Sequence, residues 1–181
     1  NDSILVLGSG KGVFSGTLQD LTDGTTYYVR AYAKNSKCIG YGDEKSFATV
    51  AIAPPTLITL DVSDITINSA KCGGSISSDG NASVIERGIC WSTNPNPTIN
   101  DSILVLGSGT GAFSGTLQNL TDGTTYYIRA YAKNSKGVGY GESKSFTTAA
   151  IVPPTVITLD VSNITINSAN CKGQVTNDGR S

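Results

Sequence analysis

Four cysteines, Cys38, Cys72, Cys90 and Cys171, are the most nucleophilic side chains of this chain, and no histidine accompanies them. Without histidine the commonest general base, the usual metal ligand and the centre of Ser-His-Asp chemistry are all missing. Carboxylates and amides gather in two stretches, Asp61 to Asp64 and the TNPNPTIND run ending at Asp101. Such oxygens suit calcium, but neither EF-hand spacing nor a dense carboxylate cluster is present. Turn chemistry accounts for Asn, Asp and Pro more simply. No cofactor is therefore expected, and Ca2+ is the only ion these loops suggest. Carboxylate pairs can also cleave sugars, but here they lie in turns without a cleft pattern. Gly107-Ser108-Gly109-Thr110-Gly111 superficially resembles a phosphate loop. It lacks the Lys-Ser/Thr ending, and no helix follows to offer its N-terminus to an anion. It reads as a Gly-rich hairpin or bulge, and the chain reads as non-enzymatic.

The global balance narrows the partners. Thirteen Lys and Arg oppose fourteen Asp and Glu, a net charge of −1, with no run of like charge. That excludes the basic field that nucleic-acid binding requires. Apolar stretches of only a few residues give no membrane span, and no signal-peptide pattern opens the chain. The absence of Met leads to the expectation that these residues begin inside a larger protein. Abundant Thr, Ser, Gly and Asn with 15% charged residues fit a secreted all-β protein.

The elements that must position these residues come from a repeat. NDSILVLGSG begins at Asn1 and again at Asn100, a period of 99 residues. When residues 1–82 are laid on 100–181, 61 of the 82 positions are identical. A duplicated unit is normally one self-contained fold. Ala53-Pro54-Pro55-Thr56 recurs as Val152-Pro153-Pro154-Thr155, and a Pro-Pro pair makes a short, stiff joint. The expected organisation is the later strands of one repeat (1–50), a complete repeat (54–149) and the first strands of a third (153–181).

Within the complete repeat, hydrophobicity alternates with period two. Ile58, Leu60 and Val62 read as the inward face of a first strand; Ala70, Cys72, Gly74 and Ile76 form a second. Ser83 to Ser92 is the third, followed by Phe113-Gly115-Leu117, Tyr126 to Lys133, and Tyr140 to Thr147. Turn signals such as Ser78-Asp79-Gly80 and Asp122-Gly123 separate them at the spacing of an immunoglobulin-like sandwich. Leu120 followed by Tyr126 has the form of a tyrosine corner, where the Tyr hydroxyl bonds back to the loop and locks a crossover. Tyr126, Ile128, Ala130 and Ala132 should then face the core, and Tyr127, Arg129, Tyr131 and Lys133 outward. The stripe Tyr127, Arg129, Tyr131, joined by Tyr140, is either a platform for stacking carbohydrate or peptide or a ladder that covers the sheet.

RGICWST, the GSGTGAFSGTLQNLTDGTTYYIRAYAKNSKGVGYGESKSFTT run and the PPT start resemble the fibronectin type III-like repeats of large secreted surface proteins of Bacteroidetes. The resemblance spans the whole chain and departs at Cys38, where the next repeat has Gly137. It implies tandem β-sandwiches at the cell surface, found there in adhesins, motility-related proteins and spacers of secreted enzymes. In a secreted sandwich, Cys72 and Cys90 are candidates for a disulfide; the other reading is two buried thiols filling the core. Strict alternation leaves this open, because Cys90 and Trp91 cannot both point inward without a bulge. Asp2-Ser3-Ile4 and Asp101-Ser102-Ile103 match the short motif at which Bacteroidetes O-glycosylate exported proteins, making Ser3 and Ser102 candidate glycosylation sites.

The expected function is a non-catalytic stalk or fibre segment of a long exported surface protein, self-associating or packing on neighbouring repeats. The alternatives are an adhesin module that binds a glycan or protein through the Tyr/Arg face, and a spacer beside a catalytic domain.

Overall fold

A computed structural model describes residues 3–179. All regular structure among them is β, as the period-two patterning requires. The chain divides into two units, Asn1–Ala53 and Pro54–Ser181, with the division at the first Pro-Pro pair.

In the first unit, β1 (Thr26–Val29), β2 (Tyr32–Lys34), β3 (Ile39–Tyr41) and β4 (Lys45–Ala48) form two small ladders, β1 with β4 and β2 with β3. Residues 3–20 carry no strand. Their repeat equivalents do, so what is missing is a partner for their backbone groups rather than strand propensity.

The second unit holds the complete sandwich. One sheet is formed by β5 (Thr56–Thr59), β6 (Ala70–Ser78) and, later in the chain, Gly111–Leu117, in antiparallel order with β6 at the centre. Between these come β7 (Glu86–Ser92) and β8 (Ser102–Val105), so Gly111–Leu117 is β9. β10 (Thr125–Lys133), β11 (Val138–Tyr140) and β12 (Lys144–Thr147) follow. The second sheet runs β11-β10-β7-β8, with β12 also paired to β10. The two sheets enclose Leu57, Cys72, Ile76, Ile89, Phe113, Leu117, Ile128 and Phe146. A final hairpin, β13 (Thr155–Ser162) with β14 (Asn170–Asn177), repeats the pairing of β5 with β6 and is exposed along its length.

β10 presents Tyr126, Ile128, Ala130 and Ala132 to the core. It switches partner midway, from β12 over Thr125–Ile128 to β11 over Tyr131–Lys133. At the switch the Ala130 amide would lose its ladder acceptor, and the Thr59 hydroxyl supplies one at 3.0 Å across the sandwich. This explains a departure from the expected frame of the first strand. Leu57 and Thr59 are buried and Ile58 is 56% exposed, so of Ile58, Leu60 and Val62 only Val62 packs on the core. The strand is placed by a backbone need of the opposite sheet, which outweighs burial of Ile58.

Candidate functional site

Leu120 is buried, and the Tyr126 hydroxyl accepts the Thr121 amide at 3.0 Å. The same bond joins Tyr27 to the Thr22 amide at 2.8 Å in the first unit. This is the geometry of a tyrosine corner. Thr148 completes the lock: its hydroxyl accepts the Thr124 amide at 2.9 Å and donates to the Thr121 carbonyl at 2.7 Å. From the same turn, Asp122 Oδ2 accepts the Ile151 amide at 3.2 Å, just before Pro153-Pro154, and Asp23 does so for Ile52 at 3.2 Å. The corner thus ties the segment that ends each sandwich to the turn that locks it.

The stripe on the outer side of β10 is not an open platform. Tyr131 is fully buried, and Arg129, Tyr127 and Tyr140 are half-buried. The segment between β7 and β8 folds over this face: Pro97 is buried there, and the Ile99 amide donates to the Tyr140 hydroxyl at 3.2 Å. Arg129 stacks on the Tyr140 ring at 4.5 Å, and its Nε donates to the Gly141 carbonyl at 2.9 Å. The expected exposed binding face is therefore a small second core. The covering residues come from the TNPNPTIND stretch, which reads locally as a loop and whose placement alternation does not reveal.

The cysteines correct a second expectation. Cys72 and Cys90 are separate free thiols. β7 pairs with β10 in unbroken register, Ile89 points into the core and Trp91 packs against it, so Cys90 faces the other way. Cys72 lies between the sheets near the Gly115 carbonyl, whereas Cys90 lies beneath Pro97, 3.4 Å from its carbonyl oxygen. A disulfide requires facing Cβ vectors, and these two sit on opposite sides of a sheet. Burial pushes each thiol up to about 11; for Cys90 the Arg129 charge opposes the rise. Both are inert packing residues in this state. Cys38 and Cys171 are free and exposed.

The remaining candidates are occupied with holding the fold. Arg87 clamps the Gly-rich loop, its guanidinium donating to the carbonyls of Gly109 and Thr110 at 3.2 and 2.7 Å. An anion there would meet carbonyl oxygens. Asp101 Oδ2 accepts the Thr98 amide at 2.8 Å within its own turn. Asp61 pairs with Lys144 on the surface, which lowers its pKa chiefly through that hydrogen bond. Among the described residues no group of three His, Cys, Asp or Glu is placed to hold a metal, and no helix is long and apolar enough to cross a membrane. Ser3 is exposed, as is Ser102, the first residue of edge strand β8. Ser102 borders an open depression of about 520 Å³ with Trp91, Asn100, Asp101 and Tyr126.

A three-stranded sheet of first, second and fifth strands faces a sheet of the third, fourth, sixth, seventh and eighth, locked by a tyrosine corner. The fold is a fibronectin type III-like β-sandwich. No protein-family model matches the chain, and no curated protein does. Among solved structures it is similar to the sensor domain of the anti-sigma factor RsgI4 in Pseudobacteroides cellulosolvens, at 18% identity over 55% of this chain and 99% of that one, TM-score 0.39. It is similar also to the sixth fibronectin type III domain from a human fibronectin type III domain containing protein, at 23% identity over 57% and 89%, TM-score 0.38. Titin domains match at 23% identity over 70% of this chain and 41% of theirs, TM-score 0.38. The fold follows from strand order and packing, independently of these likenesses.

Proposed function

We propose that the chain is a non-catalytic segment of a repetitive stalk or fibre belonging to an exported cell-surface protein. The observation that carries this reading is the bond to the corner aspartate from the amide two residues before each Pro-Pro pair, Ile151 to Asp122 and Ile52 to Asp23. In each sandwich the exit segment is tied to its own corner, and two prolines then make a short, stiff joint before the next repeat. With strands of nine residues at ~3.3 Å each, every repeat adds roughly 30 Å of length. The chemistry-bearing side chains support the same reading, since Tyr131, Arg129, Arg87 and Asp101 are all spent on internal contacts. An adhesin reading loses its proposed Tyr/Arg platform for glycan or protein, because Pro97 and Ile99 cover it. The exposed hydroxyls of Ser3 and Ser102 are available for O-glycosylation, which would fit export.

Negative-stain images of an array of such repeats test the proposal. A thin beaded rod with a ~30 Å repeat is expected, and compact globules would overturn it. Intact mass of native material tests export separately: added glycan mass on the Ser102 peptide supports it, and a bare chain counts against it.

A further inference from the structure

Trp91 is the only tryptophan of the chain. It stands near the end of β7, opposite Ile128 of β10 and Ser102 of β8. Its ring packs against the core, yet the residue stays half-buried, so part of the indole reaches the surface. The indole N–H bonds to no described residue and is not sealed from solvent. Beside it lies the depression of about 520 Å³, within the roughly 300–1,000 Å³ of small-ligand sites. Buried Tyr126 is the second aromatic of its lining, with the hydroxyl already held by the Thr121 amide. Every lining residue belongs to the complete repeat.

The rim is polar and exposed, with Thr93, Asn100, Asp101 and Ser102 in it. The turn that carries it is held by its own bonds. Asp101 Oδ2 accepts the Thr98 amide at 2.8 Å and the Thr98 hydroxyl at 3.2 Å, and the Asp101 amide donates to the Thr98 carbonyl at 3.0 Å. One carboxylate oxygen is thereby fixed, and the other, Oδ1, bonds to no described residue. The Asn100 side-chain amide and the Ser102 hydroxyl are equally unengaged among the described residues. A rim set before a ligand arrives loses little freedom on binding.

We propose that this depression binds a saccharide, with one pyranose ring lying against the exposed part of the Trp91 indole. Sugar C–H bonds carry a slight positive charge and pack on the negative face of an aromatic ring. Neighbouring hydroxyls would donate to Asp101 Oδ1 and bond with the Asn100 amide, and an ionised acceptor strengthens the first of these. The lining has one carboxylate and no cation, which disfavours a phosphate or an acidic ligand. A single open-sided ring contact is weak, with Kd on the order of 1 mM. Repetition compensates: Asn100-Asp101-Ser102 recurs at residues 1–3 and Tyr126 at Tyr27, and linked weak sites gain by avidity. The site is separate from the covered face of Tyr131 and Arg129, and it stands whether or not the parent protein is a stalk. Two sources can supply the sugar, a free glycan or one carried on Ser102 of the same chain.

The test uses the 181-residue chain both bare and as native material, with the Ser102 peptide of each checked by mass. The bare chain is titrated to ~100 mM with the methyl glycosides of glucose, galactose, mannose, fucose and N-acetylglucosamine. Binding is read by amide chemical shifts and by Trp91 emission, which no other tryptophan obscures. Saturable shifts at residues 91–93 and 100–102 with at least one of these sugars are expected. Asp101→Asn keeps an oxygen for Thr98; it and Asn100→Ala should each weaken binding about tenfold with the melting transition unchanged. In the native chain, Overhauser contacts are sought between sugar protons and the Trp91 ring. Such contacts there, without binding of free sugar by the bare chain, assign the site to the Ser102 glycan; binding by the bare chain assigns it to a free one. No sugar contact with Trp91 in either material overturns the proposal, as does binding that both variants leave unchanged.

Discussion

The Tyr131 hydroxyl donates a 2.9 Å hydrogen bond to Glu86 Oε1 while its ring lies across Gly88. Gly88 is opposite Tyr131 in the ladder of β7 with β10. A Cβ there would fall 2.1 Å from the Leu104 carbonyl oxygen and 2.9 Å from the Tyr131 ring. The glycine therefore makes room for the ring, and the ring restores the cover that glycine lacks. Tyr131→Phe keeps that cover and deletes the bond to a carboxylate. It should cost about 1–2 kcal/mol in urea unfolding, whereas Tyr131→Ala should cost about 3–5 kcal/mol. Gly88→Ala should be destabilising by about 1–3 kcal/mol, since the obstruction is backbone. If all three proved neutral, the outer face would not be the second core described.

Alkaline pH should weaken the fold by a route these side chains specify. Burial raises Cys72 and Cys90 from near 9 to about 11. Burial, then the bond to Glu86, raises Tyr131 above its ordinary value of 10. A raised acid keeps its proton in the folded state longer than in the unfolded one. Its contribution is therefore fully present below pH 9 for the thiols and is lost as pH rises through about 11. The urea midpoint should fall across that window, and Cys72→Ala with Cys90→Ala should flatten the decline. A decline of unchanged steepness in the double variant would mean that the thiols do not supply it.

Much of the sandwich is legible from alternation alone. The inward set Tyr126, Ile128, Ala130 and Ala132 follows from period two, as do Ala70, Cys72 and Ile76. Reading fails where a distant segment decides the environment. Tyr131 stands on the outer side as alternation requires, yet it is buried: its ring lies against Gly88, its hydroxyl bonds to Glu86, and Tyr140, its ladder partner, is held by the Ile99 amide. Periodicity reports which side of a sheet a residue takes, not whether that side is wet. The first strand misleads for a related reason: Ile58 is the better hydrophobe, but Thr59 carries the acceptor that Ala130 needs. A lone Thr between Ile58 and Leu60 gives no local sign of that partner.

Thr59 is accordingly a sensitive position. Thr59→Val preserves shape and removes the acceptor, leaving the Ala130 amide buried without its partner. The expected cost is about 1–3 kcal/mol, with faster hydrogen exchange at Ala130. Thr59→Ser keeps the oxygen and should recover most of the loss. Equal effects of the two substitutions would point to packing of the methyl group instead.

Thiol accessibility discriminates the arrangement of the cysteines most directly. Cys38 and Cys171 are exposed, while Cys72 lies between the sheets and Cys90 beneath Pro97. With no reductant present, an aromatic disulfide reagent should therefore label Cys38 and Cys171 promptly in the folded chain. Cys72 and Cys90 should react only as the repeat opens, and completely once urea unfolds it. Protection in the fold and reactivity after unfolding are together the signature of buried free thiols. A disulfide between Cys72 and Cys90 would also protect them in the fold, but would continue to do so in urea until a reductant was added. That second pattern would require Cys90 to turn to the inner face of β7, toward Cys72 on β6, against the unbroken register that pairs Cys90 with Arg129 and Trp91 with Ile128.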